Sequence, residues 1–204
     1  MRKTTTRIFS LFAVLLMLAA TGALPSAHAD WDWYPTDEGI YTRVDGTDYW
    51  LSLDTEELTE YADLLGEELK LPTAAVAGIL ANIQTESAFN PNKVGDGGGA
   101  YGLCQWRGAR LDAMVEYCDA EELNPVTADG QLAYLIHDLQ EHYIYAYDLL
   151  LDECPDSEEG SVRAAFYFCS QYEAPANAEE VSPPREELAK NLIYPLLKEL
   201  REEN

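Results

Sequence analysis

The 204-residue chain is poor in positive charge. It carries 13 Lys and Arg against 37 Asp and Glu, a formal net charge of −24. A nucleic-acid binder needs a basic footprint, so this balance excludes that class of partner. It also works against tight adhesion to anionic membranes or polymers, which would have to be gripped locally against a repulsive field. Many of the acids fall in stretches such as EELTEYADLLGEELK, where they read as solvated helix faces. Histidine is scarce, three in all, and no CxxC pair accompanies it. That leaves no ligand pattern for zinc, and no metal or cofactor is implied elsewhere.

Long apolar runs are equally few. The longest, IFSLFAVLLMLAA at residues 8–20, follows Arg2, Lys3 and Arg7 and precedes the small residues AHA at 27–29. It is too short for a comfortable membrane span. The order of basic start, apolar stretch and small-residue cleavage site predicts a secretory signal peptide over residues 1–29, a retained anchor being the rival reading. The expected product is secreted, extracellular or wall-associated, begins at Asp30, has no stable membrane insertion and is a monomer. Without those three basic residues it has 10 Lys and Arg against 37 acids, a net charge of −27. Removing 29 of 204 residues leaves 175, enough for one domain with a substantial core.

Cysteine is limited to Cys104, Cys118, Cys154 and Cys169, all beyond the leader. An even number in an exported chain favours disulfides. Three connectivities exist; the expected one joins Cys104 to Cys118 and Cys154 to Cys169. Each bridge would close a loop of about 15 residues, worth roughly 3 kcal/mol.

What the chain does have is organised in two parts. Residues 30–53 are aromatic, with Trp31, Trp33, Tyr34, Tyr41, Tyr49 and Trp50. IYTRV and TDYWLSL flank Asp45-Gly46, a β-hairpin signal. A lone hairpin is marginal, so its aromatics should pack on the main domain; stacking on sugars is the other use open to them. Residues 54–204 read as helical. Asp54 with Glu57 forms a capping-box pattern. Pro72-Thr73 opens a helix, TAAVAGILANIQTE, with no wide polar face, which should be buried. A loop is expected over 87–105, a short helix at ARLDAMVEYC, a long one from Thr127 to about Leu151, and two more at SVRAAFYFCSQY and REELAKNLIYPLLKELR. The fold class is mainly α, with a buried central helix and a small N-terminal β-hairpin.

The buried helix ends in a carboxylate, Glu86. A helix C-terminus and an apolar setting both favour the protonated form of an acid there. A proton held near neutral pH is what glycosidic cleavage requires. GDGGGAYGLCQW follows at 95–106. Its glycines permit sharp bends and a close ligand, Asp96 supplies a second carboxylate, and Gln105 and Trp106 offer an amide and a ring for a sugar. The competing reading is a surface Glu followed by a glycine-rich turn.

Glu86-Ser87, Phe89-Asn90-Pro91 and Gly102-Leu103-Cys104-Gln105 together resemble the signature of goose-type lysozymes and lytic transglycosylases. The forty residues from AVAGILANIQTES to GARLDAM are more similar to the phage tail lysozyme family, with QLAYLIHDLQ and FCSQYEAP resembling its later segments. The likeness spans about residues 58–195 and leaves the hairpin outside. It implies a lysozyme-like domain acting on the glycan strands of peptidoglycan. Glu86 matches the catalytic acid, Ser87 a residue that orients it, Asp96 an acid that positions water, and Gln105 a groove residue. Gly98, Tyr101, Trp106, Tyr172 and Glu173 complete the expected substrate-binding set. Goose-type enzymes carry a further Asp where this chain has Arg107, which leaves open whether water attacks or the sugar's own hydroxyl closes an anhydro ring.

Two other functions fit parts of the pattern. One is a non-catalytic glycan-binding or adhesion module using the Trp-rich segment. The other is a wall peptidase with Cys104 as nucleophile and His137 or His142 as base.

Overall fold

The computed structural model describes residues 33–36 and 38–202. The leader expected at 1–29 and Trp31 lie outside the described residues.

Three strands open the described chain: β1 (Trp33–Thr36), β2 (Gly39–Val44) and β3 (Thr47–Leu51), in the antiparallel order β1-β2-β3. The hairpin turns at Asp45 and Gly46, whose φ angles of 49° and 80° suit the two-residue turn that Asp-Gly favours. The sequence marked β2 and β3 only. β1 is a third strand with Pro35 in it, and it lies at an edge, where a proline removes no ladder bond needed on both sides.

The sheet packs on the helices through paired side chains. The Trp33 indole N–H donates to Glu199 at 2.9 Å. Asn191 donates to the Tyr49 hydroxyl at 2.8 Å. The Ser52 N–H donates to Gln84 Oε1 at 2.9 Å, and Gln84 Nε2 donates to Ser52 Oγ at 3.1 Å. Residues 33–202 thus belong to one compact unit.

Helix α1 (Thr55–Leu69) starts with the capping box read from the sequence: Asp54 accepts from the Glu56 and Glu57 N–H groups, and Glu57 accepts from the Asp54 N–H. Helix α2 (Thr73–Ser87) is the centre of the molecule. Twelve of its fifteen residues are buried, and the other three, Gln84, Thr85 and Glu86, come together at its end. Burying Ile79, Leu80 and Ile83 contributes about 1.5–3 kcal/mol each. At Gly78 the helix meets a later helix, α6 (Glu158–Tyr167), so closely that a Cβ would stand 2.5 Å from the Ala165 nitrogen. Asn82 bridges the pair, its amide donating to the carbonyls of Gly78 at 2.9 Å and Ala165 at 3.0 Å.

The stretch expected as loop folds into a second small sheet: β4 (Val94–Gly95), β5 (Ala100–Tyr101) and β6 (Trp106–Arg107), antiparallel and in that order. Strands of two residues have too little alternation to show as a pattern. The sheet is pegged from below by Gln131, fully buried, which accepts from the Leu103 N–H at 2.8 Å and donates to the carbonyls of Pro91 and Pro125.

Helix α3 (Ala109–Ala120) follows, then α4 (Ala128–Glu141), capped by Thr127 as expected. The long helix predicted to reach Leu151 breaks after α4 and resumes as α5 (Ile144–Asp152). The Asp138 carbonyl accepts from both the His142 and Tyr143 N–H groups at 2.9 Å, closing one helix and displacing the next. Helix α6 runs into a π-helical segment, Phe168–Glu173. The short helices α7 (Ala178–Val181) and α8 (Pro183–Leu188) follow, then a second π segment, Ala189–Ile193, and α9 (Tyr194–Glu202). The chain is mainly α, with the buried central helix the sequence implied.

Candidate active site

Helix α2 ends because Ala88 and Phe89 turn left-handed, with φ of 52° and 57°. That turn leaves Glu86 on the last exposed face of an otherwise buried helix. Its side chain is 24% exposed and lines an open pocket of about 520 Å³. The pocket is completed by Ala100, Gln105 and Arg107 of the small sheet, by Glu173 to Ala176, and by Val181 and Arg185.

Gln105 also has a positive φ, 47°, an uncommon conformation for a residue other than glycine and one that needs support from its surroundings. Its side-chain amide supplies that support, donating to the carbonyls of Lys93 at 3.1 Å and Gly102 at 2.9 Å. Gly102, φ 81°, sits where a Cβ would meet Gln131 Oε1 at 2.4 Å, so only glycine fits beneath the loop.

Arg185 is the partner that no sequence pattern marked. It lies 99 positions from Glu86 and is 7% exposed. One guanidinium nitrogen forms an ion pair with the Glu86 carboxylate, and another donates to the Val181 carbonyl at 2.6 Å. Its Nε is enclosed without a partner. A buried charge left unpaired is costly, so each member of this pair depends on the other.

Glu173 is half-buried overall, with its Oε1 fully enclosed and unbonded. Loss of hydration, with the negative charge of Glu86 as the next cause, pushes its carboxyl from 4.5 up to about 8. The arginines Arg110 and Arg185 and a hydrogen bond with Cys104 act in the opposite direction. The folded protein therefore keeps a proton here that the unfolded chain releases above pH 4.5. The stabilisation is complete below that value and is lost as pH rises towards 8. Wild type should lose stability relative to Glu173→Gln by up to about 1.4 kcal/mol per pH unit across this window. Denaturation midpoints of both proteins from pH 5 to 9 check this; parallel curves would contradict it.

Several expected groove residues are placed elsewhere. Trp106 is 1% exposed, packed edge-on against Tyr134 at 5.5 Å, with its indole N–H donating to the Tyr172 hydroxyl at 3.0 Å. It is a core residue and presents no face to a sugar. Tyr172 is also fully buried, donating to Asp138 at 2.9 Å. Arg110 lies 4.4 Å above its ring, donates to its carbonyl at 3.1 Å, and reaches Asp138 at 3.3 Å. Ser87 is buried and donates to the Ile83 carbonyl at 3.1 Å, within its own helix. The Tyr101 hydroxyl donates to Asn92 at 2.6 Å, bracing the loop. Gly98 is exposed, with φ of 101°, in the turn at Asp96–Gly98; the Asp96 side chain lies outside the described atoms.

The two expected disulfides are not formed: all four cysteines are free and buried. Cys118 lies 3.5 Å from the Gly130 carbonyl and Cys154 3.5 Å from the Leu149 carbonyl, while Cys104 and Cys169 both lie within electrostatic reach of Glu86 and Glu173. Burial pushes every thiol up, Cys154 to about 12 and Cys104 well above its ordinary value. A nucleophilic cysteine needs the reverse, which counts against Cys104 as a peptidase nucleophile. Of the two histidines offered as its base, His137 stacks on Tyr117 at 4.5 Å and His142 pairs with Asp138 at 3.2 Å. Alkylation after denaturation without reductant should modify all four thiols, while the native protein resists; a mass showing fewer than four would restore a disulfide. Among the described residues, no cluster of His, Cys, Asp and Glu is placed to hold a metal ion, and no helix is long and apolar enough to cross a membrane.

A glutamate at the end of a buried helix, roofed by a small glycine-rich sheet within a mainly α domain, defines a lysozyme-like domain. Residues 57–197 match the phage tail lysozyme family, and the chain belongs to it. Over 110 residues it is 29% identical to Morphogenesis protein 1 of Bacillus phage B103. The shared stretch covers 50% of this chain and 30% of that protein, so the chain spans less than a third of that relative's length.

Proposed function

We propose that the protein is an exported peptidoglycan hydrolase that cleaves the β-1,4 glycan strand, with Glu86 as the general acid. The observation that carries this reading is the position of Glu86: the final acid of a buried helix, opening into a pocket with Gln105, Arg107 and Arg185. A glycosidic oxygen entering that pocket would meet the Glu86 carboxyl group, and proton donation to it requires Glu86 to give up the ion pair with Arg185, which favours the carboxylate. Arg107 brings exposed positive charge to the pocket of a chain of net charge −24, a local grip on the anionic groups of a wall polymer. Membership of the phage tail lysozyme family supports the substrate class. The leader pattern at residues 1–29 supports export.

Clearing of purified cell walls tests the reading, and its salt dependence tests the electrostatics. A strongly acidic protein is repelled from an acidic wall at long range, and salt screens that repulsion within roughly 8 Å at physiological ionic strength. Wall clearing should rise from very low to physiological salt, and cleavage of short neutral glycan fragments should change much less. Absence of clearing at every salt concentration overturns the proposed activity. A steady fall with salt shows that Arg107 dominates encounter.

A further inference from the structure

The family likeness covers residues 57–197, and the hairpin of β2 and β3 lies before them. That hairpin forms one wall of a second open depression, of about 650 Å³. Tyr49 and Trp50 line it from β3, Gln84 and Thr85 from the end of α2, and Pro184 and Glu187 from α8. Neighbouring residues of the two helices divide between the two pockets. Thr85 and Pro184 border this one, Glu86 and Arg185 the other. A chain-like ligand with its scissile bond at Glu86, and longer than the 520 Å³ pocket can hold, meets this depression as adjoining space.

We infer that the hairpin depression is a second sugar site, which takes an uncharged N-acetylhexosamine unit of the same glycan strand, away from the bond that is cut. The inference rests on the glycan-cleaving reading above. The Trp50 ring is half-buried and lies against Gly39, where a Cβ would stand 3.1 Å from its Cζ2. Ser52 Oγ accepts from the Trp50 indole N–H at 3.2 Å and from Gln84 Nε2 at 3.1 Å, so one side chain fixes both. Groups held in place before binding lose little freedom on binding. The C–H face of a sugar ring covers an aromatic ring, while its hydroxyls need acceptors at the edge. Asp48 and Glu187 are the acceptors here. Charge separates this occupant from two others. Among the described residues lining the depression there is no Lys or Arg, which disfavours a ligand carrying carboxylates. A cationic stem-peptide side chain is disfavoured because both acids already have partners. Asp48 pairs with Arg43 and accepts from Tyr41 at 2.7 Å, and Glu187 accepts from Asn191 at 2.7 Å. Each carboxylate keeps further lone pairs for hydroxyl donors. Binding energy gathered here would favour a long strand over a short fragment.

The test is the kinetics of wild type, Trp50→Ala and Trp50→Phe on soluble glycan strands freed of stem peptides, each protein checked for folding by circular dichroism. Trp50→Ala should raise KM about tenfold and change kcat far less, the result of losing binding that ground and transition states share. Trp50→Phe should regain most of the loss. An unchanged KM in folded Trp50→Ala, or a loss in kcat alone, overturns the inference and leaves the glycan-cleaving reading intact. If wild type cuts no glycan, that reading falls and calorimetry with the N-acetylglucosamine hexamer decides the sugar site. Binding about tenfold weaker to Trp50→Ala supports it, and equal binding overturns it. If Trp50→Ala fails to fold, the wild-type Trp50 indole N–H resonance decides. It should shift on adding the hexamer. A resonance that stays still, or that moves only with a lysine-containing stem peptide, overturns the sugar site.

Discussion

Glu86→Gln should abolish wall lysis, reducing the rate by about 10²–10⁴-fold while the protein stays folded. The amide keeps the size of the side chain and can still meet the pocket, but it holds no proton to give. It also cannot form the ion pair with Arg185, a residue only 7% exposed, so some stability should be lost with the activity. Circular dichroism and a melting curve separate the two effects. A folded Glu86→Gln protein lysing walls near the wild-type rate would remove Glu86 from the chemistry, whatever its place in the pocket.

Trp106→Ala should be the most damaging change to the fold. It deletes a buried indole, removes the edge-on contact with Tyr134, and leaves the Tyr172 hydroxyl without its donor. The expected cost is about 3–5 kcal/mol. Trp106→Phe should cost less, since a ring remains and mainly one hydrogen bond is lost. Denaturant unfolding measures both. Fragment affinity of the folded fraction should change little, because the indole does not line the pocket. Full stability with weakened sugar binding would return Trp106 to the groove.

Patterns that repeat within one element were legible in the sequence. The unbroken apolar run of α2, the Asp54–Glu57 capping box, Thr127 at the start of α4 and the Asp45-Gly46 turn depend on neighbours a few positions away, and all appear in the structure. Glu86 was visible for the same reason, as a charge closing an apolar helix. Features set by distant parts of the chain were not legible. Arg185 sits among acids in PPREEL, and nothing local links it to a glutamate 99 positions earlier. Trp106 follows a glycine-rich loop, which made it look accessible; Tyr134 and Tyr172, from other elements, enclose it. The break at Asp138 arises because one carbonyl takes two N–H groups, while its side chain serves Arg110, Tyr172 and His142. The cysteine count suggested bridges, but connectivity is a matter of tertiary distance, and the four buried thiols are all unbridged.

The central claim is that the glycan strand is the bond-bearing substrate, and mass spectrometry of peptidoglycan digested by the wild-type protein tests it most directly. The account predicts disaccharide–peptide fragments with intact stem peptides, ending in either a reducing sugar or a 1,6-anhydro sugar, and no such fragments from Glu86→Gln. Release of free peptides from uncut glycan strands would contradict it.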